Sequence, residues 1–353
     1  MAGPSDIGIG LVGYGLAGRL FHGPYIDATD GLEIRAIATS HPDRSAQAAS
    51  DHPDADVVGS VDALVDHPDV EVVVVVTPNR SHAPIGMQAL AAGRHVVVDK
   101  PIAMSVPEAE ALVEAGERAG RILSVYQNRR WDGDFQTLRS LIDEGALGAI
   151  DSLEARFERW SAIGPEWREL AEEAGGPHRD LGAHLVDQSL VLFGDPVRVF
   201  AQMDSRRPGS KVEDSTFMTI DHADGVRSRL WTSLIARRTG PRLRVRGLDG
   251  EYVKEDLDPQ ERQLLDGMRP TDPGFGEEPE ERWGRLEVDG ASRPVPTQRG
   301  DYGHYYALFR DAVRELGERP VDPADSVRGL RVLEAAERSA RSGAVEALSG
   351  GSR

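Results

Sequence analysis

A glycine-rich turn near the start of the chain constrains the fold more than any other segment. The residues IGIGLVGYGLAGRLFH, positions 7 to 22, run from a short apolar stretch into Gly13-Tyr14-Gly15-Leu16-Ala17-Gly18 and then into helix-forming residues. This order predicts a strand, a tight turn and a helix. Such a turn lets backbone N–H groups approach a phosphate closely, and the helix directs the positive end of its dipole there. Glycine-rich turns also occur for conformational reasons alone, so the remaining sequence has to decide between the two interpretations.

Strands and helices alternate through the first third of the chain. A break or a shift of the helix axis is expected at Gly23-Pro24, because proline interrupts a helix. The valine run from Val72 to Val76 is typical of a parallel strand that is covered on both faces. The alternation predicts βαβ units with right-handed crossovers, and hence an α/β fold with a Rossmann doubly wound parallel sheet. Besides the first strand, the predicted strands span 32–39, 70–77, 95–99 and 121–126.

The pattern changes from about residue 134 onward, where strands follow one another without intervening helices. Such strands are expected to form a largely antiparallel open sheet in an α+β domain. Residues 256–281, rich in Pro, Gly, Asp and Glu, are expected to form a loop. We therefore predict a dinucleotide-binding domain over 1–127 and a substrate-binding and oligomerisation domain over 128–353. Helices are predicted over 135–144, 302–316 and 323–342, a helix-rich section over 165–193, and strands over 151–160, 197–205, 215–222, 226–235, 243–253 and 285–288.

Composition bounds the class of protein. With 353 residues, 39% of them hydrophobic, the chain is too long for one ordinary core. The net charge of −18 argues against a nucleic-acid partner, which needs a basic surface. No apolar run approaches the ~20 residues that span a bilayer, and the N-terminus lacks a basic region followed by an apolar one. A cytoplasmic protein without a membrane partner is expected.

Residue usage also bears on metals and on proton transfer. Cysteine is absent, so there is no thiolate metal site or disulfide framework, and no metal is expected. Of the 41 basic residues only Lys100, Lys211 and Lys254 are lysines. A retained lysine indicates a place that needs a compact ammonium able to change its protonation.

Ligands bind beyond the carboxyl ends of the strands in a parallel sheet, so the residues after each strand are candidates. After the second strand, about 20 residues beyond the glycine turn, an NAD site usually places an acid on the ribose hydroxyls. The stretch Ala38-Thr39-Ser40-His41 holds no acid, whereas Thr39, Ser40 and Arg44 offer hydroxyls and a guanidinium. These groups favour the 2′-phosphate of NADP, with NAD still possible. Ser40 and Arg44 are also ordinary residues at the start of a solvated helix.

Two further sets of polar residues follow the next strands. Thr77-Pro78-Asn79, with His82 close behind, ends the valine strand. Thr and Asn are also common helix-capping residues, so this set has a purely structural interpretation too. Asp99-Lys100-Pro101 ends the following strand. A lysine at that position suits proton transfer, because burial and a cationic neighbour would lower its pKa.

The second half contributes one candidate constellation. In a helix that starts near Asp180, His184 stands one turn later on the same face, and Asp187 follows after three more residues. An Asp and a His at this spacing are also typical of a helix cap and a surface residue. Lys100 is a third titratable group suited to the same task.

These motifs, in this order and spacing, resemble the glucose-fructose oxidoreductase / inositol dehydrogenase (Gfo/Idh/MocA) family over essentially the whole chain. The segments GLAGRLFHGP and Ser124-Val125-Tyr126-Gln127-Asn128-Arg129-Arg130-Trp131-Asp132 resemble a branch that contains NADP-dependent scyllo-inositol dehydrogenases. Two positions depart from the family pattern. Asp99 stands where Glu is more frequent, and His178 stands where an apolar residue is common.

The resemblance implies a two-domain oxidoreductase that transfers a hydride between NAD(P) and a secondary alcohol of a cyclic polyol or sugar. It implies a homodimer or homotetramer formed through the C-terminal sheet. The implied catalytic residues are Lys100, Asp180 and His184, and the substrate-binding residues are Lys100, Arg130, His178, Asp180 and His184. The implied cofactor-binding residues are Gly13, Gly15, Leu16, Ala17, Gly18, Thr39, Ser40, Arg44, Thr77, Pro78, Asn79, His82, Asp99, Lys100, Asn128, Trp167 and Arg168.

Other functions are compatible with the same fold. Some relatives of this architecture retain the cofactor and use transient oxidation for epimerisation or glycoside cleavage. Others could act as non-catalytic NADP sensors. A sensor has no need for Lys100 together with Asp180 and His184, so the residues favour an enzyme.

Overall fold

The computed structural model describes residues 6–162, 169–170 and 173–348. The chain divides into two compact units. The first comprises Met1–Asn128, Glu261–Phe275 and Asp301–Val327, and the second Arg129–Gln260, Gly276–Gly300 and Arg328–Arg353. The first unit thus takes in two later segments, which differs from the continuous domains expected over 1–127 and 128–353.

The first unit contains a six-stranded sheet that is parallel throughout. Its strand order is β3-β2-β1-β4-β5-β6, so the order reverses between β1 and β4. This is the doubly wound sheet predicted from the βαβ rhythm, with the glycine turn at the point of reversal. The strands are β1 (Ile7–Val12), β2 (Leu32–Ala38), β3 (Asp56–Val58), β4 (Val72–Val75), β5 (His95–Asp99) and β6 (Leu123–Tyr126).

The helix after the glycine turn continues through Gly23-Pro24 instead of breaking there. A π-helical turn over Gly18–His22 runs directly into an α-helix that begins at Gly23 and has Pro24 in its first turn. Proline is tolerated in the first turn of an α-helix, because its missing N–H is not needed there. The short strand β3 was not predicted, since only three of its residues pair. The helices in this part of the chain are α1 (Gly23–Asp27), α2 (Pro42–Asp51), α3 (Val61–Val65), α4 (His82–Ala91) and α5 (Val106–Ala119).

The second unit contains a nine-stranded sheet in the order β14-β13-β12-β11-β7-β10-β9-β8-β15. All neighbours are antiparallel except β7 and β10, which confirms the largely antiparallel sheet. The strands are β7 (Ile150–Glu158), β8 (Pro196–Asp204), β9 (Ser215–His222), β10 (Arg227–Ser233), β11 (Leu243–Gly247), β12 (Gly250–Lys254), β13 (Gly284–Val288), β14 (Ala291–Val295) and β15 (Glu346–Ala347).

One strand prediction was wrong in this sheet. The single strand expected over 243–253 is a hairpin of β11 and β12, in which Arg246 pairs with Glu251. The apolar Leu248 continues the alternation of the sequence and so hid the turn, yet its side chain is 79% exposed. A two-residue hairpin turn is hard to recognise in a sequence when its residues continue the alternation of the flanking strands.

Helices cover one face of the second sheet. Helix α8 (Gly182–Phe193) packs against β7 and β10 and is buried along most of its length. The alternation of buried and partly exposed residues along β9 is that of a strand covered on one face. Two further helices here are α6 (Gly133–Asp143) and α7 (Pro177–Asp180).

Three helices come from the last third of the chain: α9 (Gln260–Leu265), α10 (Gly303–Val313) and α11 (Pro323–Ser342). Helix α9 falls inside the expected loop over 256–281. The buried Tyr302 and Tyr305 pack against Tyr25 and Tyr126, with ring centroids 5.8 and 4.9 Å apart. Large aromatic contacts of this kind dominate core energetics, which explains why this late segment belongs to the first unit.

Within the described ranges, the helices are too short or too polar to cross a membrane.

Candidate active site

The glycine turn is built from positions where a side chain does not fit. Gly13 has a φ of +99°, and a Cβ there would lie 2.3 Å from the carbonyl oxygen of Val76. A Cβ on Gly18 would lie 2.3 Å from the carbonyl oxygen of Gly13. Tyr14 anchors the turn, since its hydroxyl donates to Asp51 Oδ2 at 2.9 Å. The turn is thus a rigid, backbone-lined cradle.

Arg44 approaches this cradle from the segment after β2. Its guanidinium carbon lies 3.9 Å from the position of a Cβ on Gly15. Ser40 and Arg44 are exposed and Thr39 is half-buried. Thr39 Oγ1 accepts from the backbone N–H of His41 at 3.4 Å. Of the three residues predicted for the 2′-phosphate, Arg44 therefore lies next to the glycine turn.

The turn after β4 is held by local hydrogen bonds. Ser81 Oγ lies 2.8 Å from Thr77 Oγ1 and 2.7 Å from the carbonyl oxygen of Pro78. Asn79 is buried and Pro78 is exposed. The His82 ring lies between two carbonyl oxygens, 2.8 Å from that of Thr77 and 2.7 Å from that of Pro101. It therefore joins this turn to the one after β5.

The turn after β5 presents Lys100 beside a buried network. The Lys100–Pro101 peptide bond is cis, and the Lys100 N–H donates to Asp99 Oδ1 at 2.8 Å. His22 Nε2 lies 3.8 Å from Asp99 Oδ2. Burial raises the pKa of the Asp99 carboxyl. Its neighbours His22, Lys100 and His82 lower that pKa by more than burial raises it, so it lies below its usual value. The ionised form of Asp99 is therefore favoured.

His22 was not among the predicted site residues. It is fully buried, its Nδ1 lies 2.6 Å from the Tyr306 hydroxyl, and its ring packs on Tyr126 at 4.2 Å between centroids. The partner Tyr306 lies 284 positions away, so no local pattern marks the contact. Of the other predicted residues in this unit, Asn128 is buried, Ala17 half-buried and Leu16 46% exposed.

In the second unit, Asp180 and His184 stand on two consecutive helices rather than one. Asp180 is the last residue of α7 and His184 lies in the first turn of α8. Leu181 between them keeps right-handed helical angles, with φ −93° and ψ −37°. The expected spacing of one turn is therefore preserved. Asp180 is half-buried and His184 is buried.

Arg130 and Asp187 form a two-pronged ion pair in the second unit. Arg130 Nε donates to Asp187 Oδ2 at 2.8 Å, and Nη2 donates to Oδ1 at 2.7 Å. The side chains are 14% and 5% exposed. Because Asp187 lies on α8 one turn after His184, the pair fixes that face of the helix.

The segment before Asp180 is held by two acids that the sequence did not single out. Glu213 Oε1 accepts from the His178 N–H at 2.9 Å. Glu337 on α11 pairs with Arg179 at 2.6 Å. The His178 ring donates from Nε2 to the carbonyl oxygen of Leu333 at 3.1 Å, and burial lowers the pKa of His178 to about 4. His178 is thus a neutral, buried ring.

Trp167 and Arg168 lie outside the described residues. In the part of the chain that the structure covers, three or more His, Asp or Glu side chains nowhere converge as a metal-binding group.

Models of known protein families match both parts of the chain. The oxidoreductase family model Gfo/Idh/MocA, an NAD-binding Rossmann fold, matches residues 7–127. The C-terminal domain model of that family matches residues 135–253. The scyllo-inositol 2-dehydrogenase (NADP(+)) IolW of Bacillus subtilis is 35% identical over 340 residues, 95% of this chain and 94% of that protein. The chain belongs to the Gfo/Idh/MocA oxidoreductase family.

A solved structure and a second curated protein are also similar to this chain. The solved structure of the Bacillus subtilis oxidoreductase YvaA gives a TM-score of 0.93 at 34% identity, covering 98% of this chain and 99% of that one. The D-glucoside 3-dehydrogenase of Escherichia coli is 28% identical over 242 residues, 63% of this chain and 68% of that protein. The family predicted from the motifs is therefore confirmed.

The first unit fits the dinucleotide that this family binds. The close approaches at Gly13 and Gly18 leave a cradle of backbone that a Cβ would fill, as a pyrophosphate seat requires. The cradle opens at the point of the sheet where the strand order reverses. The chain therefore has an NAD(P)-binding Rossmann unit.

Proposed function

We propose that this oxidoreductase is an NADP-dependent dehydrogenase that acts on a secondary alcohol of a cyclic polyol or sugar, inositol-like or aldose. The observation that carries the proposal is the combination of Lys100 at the carboxyl end of β5 with Asp180 and His184 one helical turn apart. The resemblance to an NADP-dependent inositol dehydrogenase over 95% of the chain supports the substrate class.

The bound nicotinamide would supply the redox chemistry by exchanging a hydride with the alcohol carbon. His184 would take the hydroxyl proton as the general base. Lys100 would donate a hydrogen bond to that oxygen and stabilise its developing negative charge, and Asp180 would orient the polyol or His184. Arg130 and His178 are proposed on the substrate side. Their hydrogen bonds to Asp187 and to Leu333 hold both side chains in fixed positions.

We infer NADP rather than NAD from Arg44. Its guanidinium lies against the glycine turn instead of extending away from it, as a 2′-phosphate ligand should. The glycine turn, Thr39, Ser40, the turn after β4, Asp99 and Asn128 would hold the rest of the cofactor. Trp167 and Arg168 would approach its nicotinamide end.

Replacement of the proposed base tests the catalytic assignment. His184→Ala should lower kcat by ~10²–10⁴-fold, as expected for a lost general base, while NADP affinity stays within about twofold. Lys100→Met should also lower kcat. Two exposed residues of the same types provide controls, His304→Ala and Lys211→Met, which should retain wild-type turnover. Unchanged kcat in His184→Ala would refute the assignment.

We also propose a homodimer or homotetramer formed through the second sheet. Phe217 on β9 and Trp231 on β10 are cross-strand neighbours with ring centroids 5.1 Å apart, and the Arg156 guanidinium stacks on Trp231 at 3.9 Å. These partly exposed aromatic rings suit a protein interface. Trp231→Glu should shift the sedimentation coefficient to that of a monomer. A monomeric wild-type protein would contradict the proposal.

A further inference from the structure

His82 joins the two turns that carry the proposed cofactor and catalytic residues of the first unit. It is the first residue of α4, and it is 1% exposed. Nε2 lies 2.8 Å from the carbonyl oxygen of Thr77, which follows β4. Nδ1 lies 2.7 Å from the carbonyl oxygen of Pro101, which follows β5. One buried ring therefore spans both strand ends.

Both partners of the ring are hydrogen-bond acceptors. A backbone carbonyl oxygen can only accept, so a ring nitrogen that carries a hydrogen donates to the carbonyl it faces. Hydrogen bonds are stronger away from water than at the surface. Both distances are those of hydrogen bonds.

The carbonyl of Pro101 belongs to the turn that carries Lys100. Asp99 is the last residue of β5, and Lys100 and Pro101 follow it directly. The Asp99 carboxylate accepts from the Lys100 N–H at 2.8 Å. The hydrogen bond from His82 to Pro101 therefore acts on the turn that presents Lys100.

We propose that His82 is a positioning residue that clamps the turn after β4 to the turn after β5, and thereby fixes Lys100 relative to the Thr77–Asn79 turn. This role differs from a direct contact with the cofactor, because both ring nitrogens are committed to backbone carbonyls. The consequence for catalysis rests on the proposed function. The clamp itself does not.

Hydrogen–deuterium exchange of the cofactor-free protein tests the clamp without activity. Two amides report on the turns: Ser81 N–H donates to Pro78 O, and Lys100 N–H to Asp99. In His82→Phe, which keeps an aromatic ring without donors, both should exchange about tenfold faster or more, as expected for the loss of the buried hydrogen bonds of the ring. Unchanged exchange at both amides would overturn the clamp.

His95→Phe is the matched control. His95 lies at the opposite end of β5, and its Nδ1 accepts from the Ile122 N–H at 3.1 Å. Its replacement should speed exchange near Ile122 and leave Ser81 and Lys100 unaffected. Equal acceleration at Ser81 and Lys100 in both variants would mean general loosening of the sheet and would overturn the clamp.

One further measurement completes the test. In His82→Phe, NADP affinity and kcat should both fall at least tenfold. If NADP affinity falls while exchange is unchanged, His82 is a cofactor contact and the clamp is wrong. If wild-type protein binds no NADP, the proposed function fails, and hydrogen–deuterium exchange still decides the clamp.

Discussion

Glu213 makes the pH dependence of stability a sharp test of the second unit. Its carboxylate accepts from the His178 N–H and packs against Gly176, where a Cβ would lie 2.1 Å from Oε1. Burial raises the pKa of Glu213 from 4.5 to about 7, even though the N–H groups of His178 and of Glu213 itself lower it. Glu337 adds to the rise. The perturbation that tests this environment is Glu213→Gln, which keeps the acceptor oxygen and removes the ionisation.

The sign follows from proton binding. Below pH 4.5 the carboxyl is protonated in both states, and between pH 4.5 and 7 the unfolded chain ionises while the folded protein keeps its proton. The free energy of unfolding therefore falls as pH rises through this window, and the loss is complete above pH 7. A pKa that moves from 4.5 to about 7 corresponds to about 3 kcal/mol. This is a large share of the ~5–15 kcal/mol that stabilises an ordinary domain.

Urea unfolding at pH 5 and pH 8 measures the effect. The stability of Glu213→Gln relative to wild type should increase by about 2.5 kcal/mol between the two pH values, because part of the loss already occurs below pH 5. Glu337→Gln provides a control of opposite sign. Burial raises the pKa of Glu337, but the hydrogen bond to Arg179 and the neighbouring positive charges together lower it below its usual value of 4.5. That variant should lose stability relative to wild type as pH rises to about 4.5, and its difference from wild type should change little between pH 5 and pH 8. Parallel curves for wild type and Glu213→Gln would refute the reasoning.

Three other substitutions follow from the geometry. Gly13→Ala should abolish NADP binding, because its φ is +99° and a Cβ would strike Val76, whereas Gly59→Ala, with open space around the added carbon, should bind normally in the same fluorescence titration. Asp187→Ala should lower the free energy of unfolding by about 3–5 kcal/mol in urea titrations, since it leaves the Arg130 guanidinium buried without its anion. Arg44→Ala should raise the KM for NADP much more than the KM for NAD, and equal effects in steady-state kinetics would mean that Arg44 is an ordinary surface residue.

Local patterns were sufficient for the first unit. The valine run and the glycine turn have short-range physical causes: a buried parallel strand needs continuous apolar residues, and close backbone approach needs glycine. Both features therefore lie where they were predicted, and β5 has the expected bounds, His95–Asp99.

Long-range partners could not be predicted. The contact of His22 with Tyr306 and that of Arg179 with Glu337 join residues 284 and 158 positions apart, and they exist only because the fold brings them together. Glu213 follows the same rule, since its partner His178 is 35 positions away. The sequence gives no sign that these acids are buried.

The spacing of a motif along the chain also did not predict where its helices and strands end. Asp180 and His184 have the predicted spacing, yet they do not share one helix. Helix α7 ends at Asp180, and helix α8 begins two residues before His184. The turn at Leu248 was not predicted, because Leu248 is apolar and continues the strand pattern, although its side chain is exposed. In both cases packing of neighbouring elements, rather than local preference, decides where an element stops.

The central claim is that this protein oxidises a polyol or sugar with net reduction of NADP. Purified protein should be incubated with a panel of inositols and aldoses, with NADP and separately with NAD, while the reduced cofactor is followed by absorbance. We predict that at least one inositol or aldose gives reduced NADP in equal amount to the oxidised product, with a higher kcat/KM for NADP than for NAD. Product formed on tightly bound cofactor without net reduction would show a cofactor-recycling enzyme and would contradict the claim.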